Sequence, residues 1–399
     1  MKTLYYHQPH TLLNRALRLL QTIIQRKGIL SLFTTLTILL LPLSVQGQTS
    51  NKILINSGWE MQDAAIISKE GMKAGWEMEN AAKVPQEGKV ISTTKYKPSG
   101  WYKATVPGTV LTTLVNNGVY PEPLYGENNR PEVIPEYLCH TDWWYRNEVM
   151  IPDSYKNKTI WLNFDGINYS ADIWVNGHRV GPIKGAFIRG NFDITSFVKP
   201  GQTAIIAVRI SPQPNTGVPF EHIMGTVGGP CGGVGRLDGP TFGCSNGWDW
   251  LSGIRDRNSG IWQDVFLSAT GHVLMKDPLI TSDLPLPRTD IASVTVQTTV
   301  QNTTGNVQKG IIKGSFDSIK FEKTIEIAPW RSLTFTFDPK DFAQLNIKNP
   351  KLWWPNGLGE QNLYSMHLSF EIDGKISDEK EVTFGIREIS YDIPGSDNL

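Results

Sequence analysis

The sequence predicts an all-β protein in which a jelly-roll β-sandwich is followed by an immunoglobulin-like β-sandwich. Short runs of alternating apolar and polar residues, separated by turn signals, dominate from about Ile53 onwards. An Asn176-Gly177 pair lies between two such runs and is a strong hairpin signal. Helical periodicity is nearly absent, which favours packed antiparallel sheets over a strand-helix-strand repeat.

The first sandwich is predicted from strands whose spacing is typical of an antiparallel sandwich or jelly roll. These strands cover residues 144–151, 159–164, 171–175, 204–210 and 261–267. Composition shifts near Thr270-Gly271 to runs rich in Thr and Val, which predict the second sandwich. Its strands are expected at residues 293–300, 332–337, 363–370 and 380–384, and none of them carries a cysteine.

The first 47 residues are predicted to be a signal peptide. Basic residues between Lys2 and Lys27 precede an apolar run at 29–43, and small and polar residues follow it. An uncleaved anchor is the alternative, but the run falls short of the roughly 20 residues that a spanning helix needs. We therefore expect a secreted or periplasmic protein with no membrane span after cleavage, a jelly-roll domain at 48–270 and an immunoglobulin-like domain at 271–390.

Charge and composition narrow the classes of ligand. The chain has 38 Lys and Arg against 38 Asp and Glu, which argues against a nucleic-acid partner. Its 13 Trp suit contacts with sugars, although Trp also fills sandwich cores. No cofactor is expected.

Three cysteines occur in the chain. Cys231 and Cys244 flank a Gly-rich segment and are candidates for a disulfide in an exported protein, which would leave Cys139 as a free, buried thiol. His140 adjoins Cys139, but the spacing matches no standard metal motif, so no metal site is expected.

The long irregular stretch from about 211 to 260 is predicted to be an ordered binding loop. It carries Trp248, Asp249 and Trp250, in which two indoles flank a carboxylate. Indole faces pack against the C–H face of a pyranose, and a carboxylate accepts hydrogen bonds from hydroxyl or amino groups. In the alternative interpretation both indoles pack under the loop and Asp249 pairs with Arg255 or Arg257.

Several motifs together resemble glycoside hydrolase family 2. Residues 164–181, 192–195 and 259–262 are similar to its sugar-binding, galactose-binding-like jelly roll, and 384–387 to the last strand of its immunoglobulin-like domain. The sequence also resembles a narrower branch of this family, the exo-β-D-glucosaminidases and endo-β-mannosidases, at residues 106–110, 118–123, 249–250 and 256–262.

The resemblance implies that Trp248, Asp249 and Trp250 line part of a sugar subsite. Arg255, Asp256, Arg257 and Asn258 are expected to support that loop. The implied ligands are β-linked glucosamine or mannose oligomers, and the sequence does not decide between them.

No catalytic residue is expected in the chain. The family's general acid is a Glu preceded by Asn, but Asn147-Glu148 lies inside a predicted early strand. Retaining hydrolysis needs two carboxyl groups on a (β/α)8 barrel of roughly 250 residues. We expect residues 391–399 to be a linker stub towards a missing barrel, and a separately encoded catalytic barrel is a candidate partner. The resemblance thus implies the non-catalytic N-terminal portion of a secreted family 2-type β-glycosidase. The alternatives are a free-standing carbohydrate-binding or cell-surface adhesion module, and an all-β envelope protein that binds no sugar.

The purified chain is expected to release no aglycone from an aryl β-glucosaminide or β-mannoside, because a lone carboxyl group cannot supply both the nucleophile and the acid. Measurable turnover with retention of configuration would contradict this expectation.

Overall fold

The computed structural model describes residues 52–73, 83–216, 218–219, 233–234 and 254–390. All of them belong to one compact unit of the chain, which begins at residue 51. The structure confirms the predicted all-β class, since most elements are strands arranged in antiparallel sheets. Within these residues, the helices are all too short or too polar to traverse a bilayer.

The first sandwich consists of a four-stranded sheet that faces a six-stranded sheet. The smaller sheet has the order β1 (Ile53–Leu54), β12 (Val265–Thr270), β5 (Thr159–Phe164), β8 (Gly190–Asp193). The larger sheet has the order β3 (Tyr102–Lys103), β2 (Glu60–Asp63), β4 (Trp143–Met150), β9 (Thr203–Ser211), β6 (Ser170–Val175), β7 (His178–Lys184). A further short pair joins β10 (Val218–Pro219) to β11 (Gly233–Val234).

The core of this sandwich lies between the two sheets. Alternation along each strand sends branched and aromatic side chains inward, such as Leu162, Ile173 and Val208, which are fully buried. Burial of one such side chain contributes about 1.5–3 kcal/mol, so the many buried members of this core dominate its stability.

Three α-helices accompany the sheets in the described part of the chain, although the sequence pattern predicted almost none: α1 (Ala64–Lys73), α2 (Lys83–Ile91) and α3 (Val110–Asn116). Helix α1 begins after a capping residue, Asp63, whose carboxylate accepts a hydrogen bond from the Ala65 amide at 2.7 Å. Helices this short depend on tertiary packing, which periodicity does not report.

Helices α1 and α2 cover the outer face of the larger sheet. Under them Trp144 and Trp174 lie with ring centroids 5.2 Å apart, both buried. The buried Glu87 carboxylate accepts hydrogen bonds from Ser68 Oγ at 2.6 Å and from Trp144 Nε1 at 3.3 Å. A Cβ on Gly88 would come within 2.2 Å of the Trp174 ring, so the helix lies directly on the indole. These contacts form a second, small apolar cluster outside the main core.

The second sandwich is built from two more antiparallel sheets. One contains β13 (Val273–Asp283), β14 (Ile291–Asn302), β17 (Ser332–Phe337) and the short β18 (Asn346–Lys348), which also pairs with β14. The other has the order β16 (Ile319–Ile327), β15 (Gln308–Phe316), β19 (Tyr364–Ile372), β20 (Lys375–Phe384). Its core is rich in aromatic rings, with Phe321 and Phe337 at 4.6 Å and Phe316 and Phe384 at 5.4 Å between centroids.

Strand β12 begins at Val265, four residues after the predicted start at Ile261. The backbone before it bonds elsewhere: the Ile261 carbonyl accepts from the Gly108 amide at 2.8 Å. At Gly260 the chain passes close to the same bend, since a Cβ there would lie 2.5 Å from the Gly108 carbonyl oxygen. The φ of Gly260 is +152°, a conformation that side chains rarely adopt.

Replacement Gly260→Ala is expected to lower the free energy of unfolding by roughly 2–4 kcal/mol, because the new methyl group meets backbone atoms that cannot move aside. Gly100→Ala is the matched control: φ is +68°, but no atom lies within 4 Å of the added Cβ. It is expected to cost only about 1 kcal/mol. Equal shifts of the two denaturation midpoints would contradict this prediction.

Candidate functional site

The predicted site residues divide into two groups. Trp248, Asp249 and Trp250 lie outside the described residues, as do Cys231 and Cys244. Arg255, Asp256, Arg257 and Asn258 are described and form a turn between Ile254 and Ser259. This turn is the base of the loop that carries the two predicted indoles, and its contacts define the candidate site.

Arg255 and Arg257 share one carboxylate, that of Glu136. Arg255 Nη1 lies 2.8 Å from Glu136 Oε1, and Arg257 Nη2 lies 2.7 Å from Glu136 Oε2. The Arg255 side chain is only 1% exposed and also donates through Nε to the Asn129 carbonyl at 2.9 Å. Each oxygen of the Glu136 carboxylate thus makes a charge-assisted hydrogen bond with one of the two guanidinium groups.

Asp256 is fully buried and ties the turn to helix α3. Its Oδ2 accepts from the Leu111 amide at 2.6 Å, and its Oδ1 accepts from the Asn258 amide at 2.8 Å. The first bond satisfies an N-terminal amide of α3, where Thr109 is the capping residue. Burial raises the pKa of the Asp256 carboxyl, and the hydrogen bond from the Leu111 backbone acts in the opposite direction.

The backbone of the turn is held in an uncommon conformation. Arg257 and Asn258 are consecutive non-glycine residues with positive φ, at 51° and 56°. The Asn168 side-chain amide donates to both of their carbonyl groups, at 2.9 and 3.0 Å. Asn168 also exchanges two backbone hydrogen bonds with Gly260, each 2.9 Å long. Such conformations cost about 1–3 kcal/mol each and persist only where neighbours fix them.

Both ends of the long loop meet at this turn. Arg257 Nε donates to the Thr216 carbonyl at 2.8 Å, and Arg257 Nη1 donates to the Ile254 carbonyl at 2.8 Å. Thr216 precedes the stretch that contains Trp248 to Trp250, and Ile254 follows it. One guanidinium group therefore fixes the point where that stretch leaves the sandwich and the point where it returns.

The structure adds site residues that sequence reasoning missed: Glu136, Asn129 and Asn168. Glu136 lies 119 residues before Arg255 in the chain. No local pattern marks a carboxylate for a partner so distant, and only the folded topology brings them together. The hypothesis that Asp249 pairs with Arg255 or Arg257 stays a prediction, since Asp249 lies outside the described residues.

A metal is disfavoured at the cysteine next to this turn. Ligand atoms of Glu136, Cys139 and His140 lie within 4.8 Å of one another. However, each Glu136 oxygen already binds an arginine, whose charge would repel a cation. Cys139 is free and buried, as expected, and burial raises the pKa of its thiol. A protonated thiol is a poor metal ligand.

Comparisons with known proteins agree with this architecture. A family model described as glycosyl hydrolase 2 galactose-binding domain-like matches residues 76–263, and one described as glycosyl hydrolases family 2 matches residues 273–387. An exo-β-D-glucosaminidase of Streptomyces avermitilis is 31% identical over 303 residues, which are 75% of this chain and 30% of that protein. A mannosylglycoprotein endo-β-mannosidase of Lilium longiflorum is 33% identical over 325 residues, 74% of this chain and 32% of that protein.

A solved structure shows the same arrangement of strands. The crystal structure of the exo-chitosanase CsxA of Amycolatopsis orientalis superposes with a TM-score of 0.67 at 25% identity, covering 87% of this chain and 35% of that one. The chain thus spans about a third of the length of the relatives that it matches. From both family models and from the two sandwiches that they cover, the chain belongs to glycoside hydrolase family 2, with the family's galactose-binding-like domain followed by its immunoglobulin-like domain.

Proposed function

We propose that the chain supplies the non-catalytic N-terminal domains of a secreted family 2 β-glycosidase that acts on β-glucosaminides or β-mannosides. In this proposal Trp248, Asp249 and Trp250 contribute part of the sugar subsite. The substrate class is supported by the names of the relatives, which are exo-β-D-glucosaminidases and an endo-β-mannosidase. Export is supported by the basic and then apolar segment at residues 2–43.

The observation that carries the proposal is the anchored base of the loop. Arg257 joins Thr216, Ile254 and Glu136 through separate donors, so both ends of the loop are held at one place. Loss of loop freedom before binding lowers the entropic cost of ordering it around a ligand. An anchored loop rich in Trp and Gly is therefore better suited to recognition than to a passive connection.

The domain limits 48–270 and 271–390 are part of the same proposal. The first hydrophobic core ends at Ala269 and the second begins at Val273, which supports a boundary between them. In an assembled enzyme, the jelly roll would present the loop to the catalytic domain, and that domain would supply both reacting carboxyl groups.

Titration with β-linked glucosamine and mannose oligomers tests the subsite, with Trp emission as the readout. The wild-type chain is expected to show a saturable shift with one of the two series. Asp249→Ala should weaken binding about 10- to 100-fold, because a charged hydrogen bond contributes about 1.5–3 kcal/mol. Asp290→Ala is the control, since that exposed carboxylate pairs with Arg288 far along the chain.

Other Trp residues could mask the signal, so Trp248→Phe and Trp250→Phe variants identify its source. Absence of any saturable shift, or equal affinity of the wild type and Asp249→Ala, would contradict the proposed subsite. Tight binding by the isolated chain at an affinity sufficient for retention on a polysaccharide would favour the free-standing binding module instead.

Glu136→Gln tests the anchor itself. The variant keeps the shape of the side chain but removes the negative charge that lies between the guanidinium groups of Arg255 and Arg257, so we expect a loss of about 3–5 kcal/mol in the free energy of unfolding. Glu127→Gln is the matched control, because its pair with Arg130 is exposed and contributes about 0–1 kcal/mol. Sugar affinity should fall with Glu136→Gln and stay unchanged with Glu127→Gln. Equal denaturation midpoints for the two variants would contradict the proposed role of Glu136 between Arg255 and Arg257.

A further inference from the structure

Three outer strands of the second sandwich, β13, β16 and β20, are protected against pairing with another chain. Strand β16 carries Lys and Glu residues along its length, as does β20. Strand β13 is interrupted at Asp277-Pro278, where its register shifts and Asp277 has a φ of 47°. Charges, prolines and bulges on edge strands are the devices by which native sheets avoid edge-to-edge association.

Strand β17 has none of these devices. Its six residues are Ser332, Leu333, Thr334, Phe335, Thr336 and Phe337, without charge, proline or glycine. Its register with β14 is continuous from Ser332 to Phe337, so there is no bulge. Ser332, Leu333 and Thr334 are exposed. A flat, uncharged edge of this kind is a template for a further strand.

The direction of the free hydrogen-bonding groups follows from the register. The Asn302 amide donates to the Arg331 carbonyl at 2.9 Å, which makes Asn302 and Arg331 a hydrogen-bonded pair. In an antiparallel ladder such pairs alternate, so Leu333, Phe335 and Phe337 bond to β14. The amide and carbonyl groups of Ser332, Thr334 and Thr336 therefore point away from β14, and no residue in the described part of the chain pairs with them.

We propose that this edge pairs with the same edge of a second copy of the chain, in antiparallel orientation about a two-fold axis at Thr334. Thr334 then faces Thr334 of the other copy, and Ser332 faces Thr336. All three are positions whose free groups point outward, so about six hydrogen bonds form without any shift in register. The edge is therefore complementary to itself about the two-fold axis, which favours a second copy of the chain over a foreign strand.

The side chains around the axis fit this pairing. Thr334 and Thr336 lie on the outer face of the sheet, where Thr–Thr pairs across strands are favourable. Trp330 precedes the strand and is 68% exposed with a φ of 57°, and its amide donates to the Thr304 carbonyl at 3.1 Å. An exposed indole held in this way at the end of the edge would be covered by the second copy, as aromatic anchors are at interfaces.

Sedimentation of the chain between about 1 and 200 µM tests the proposal. The wild type is expected to dimerise as concentration rises. Thr334→Lys and Thr334→Glu should each be monomeric at every concentration, since like charges meet at the axis. An equimolar mixture of the two variants should form a dimer again, which also shows that both are folded. Thr324→Lys, at an exposed position of the charged edge β16, is the matched control and should dimerise like the wild type.

A wild-type chain that remains monomeric at 200 µM would overturn the proposal. A Thr334→Lys variant that still dimerises, or a Lys–Glu mixture that stays monomeric, would overturn it as well. Capture of an added peptide with the β17 sequence by a chain that does not self-associate would show a foreign strand as the occupant. None of these outcomes depends on sugar binding, so the dimer and the proposed function fail separately.

Discussion

One carboxylate, that of Glu136, holds two guanidinium groups in a largely dry environment, and the geometry of the candidate site depends on it. Both guanidinium groups carry further N–H donors, and the carbonyl groups of Asn129, Thr216 and Ile254 accept hydrogen bonds from them. Because those carbonyl groups belong to three separate stretches of chain, the hydrogen bonds of the two arginine side chains connect these stretches to one another.

The turn at Asp256 extends that link into the jelly roll. Asp256 bonds to the first turn of α3, and Asn168 bonds to the carbonyl groups of Arg257 and Asn258. Asp256 Oδ2 and the carbonyl groups of Arg257 and Asn258 thus have partners in other elements of the fold, whereas Asp256 Oδ1 accepts from Asn258 within the turn. The loop base is therefore tied to the sandwich at several points, although it has no regular secondary structure of its own.

Much of the fold could be predicted from sequence because strand alternation is a local property. The predicted bounds of β5 and β17 coincide with the observed ones, and the sequence of β17 alternates polar and apolar residues. Helices α1 and α2 were missed, since their stability comes from Trp144 and Trp174 beneath them rather than from periodicity. Glu136 was missed for a similar reason: its partners are set by topology. Arg255 and Arg257 could be singled out because a family motif surrounds them.

The cover of α1 and α2 over the larger sheet has a consequence for how this jelly roll can evolve. A sheet face is the broadest flat surface that a sandwich offers. Here helix α2 covers it, because Gly88 packs on the Trp174 ring and Glu87 accepts a hydrogen bond from Trp144. New specificity cannot arise there by exchanging single surface residues, since each exchange would first have to open a packed layer. On this side of the jelly roll, variation is left to the loops at the strand ends, where a change of length or composition disturbs no buried indole. The covered face thus confines the adaptable surface on this side of the domain to its rim.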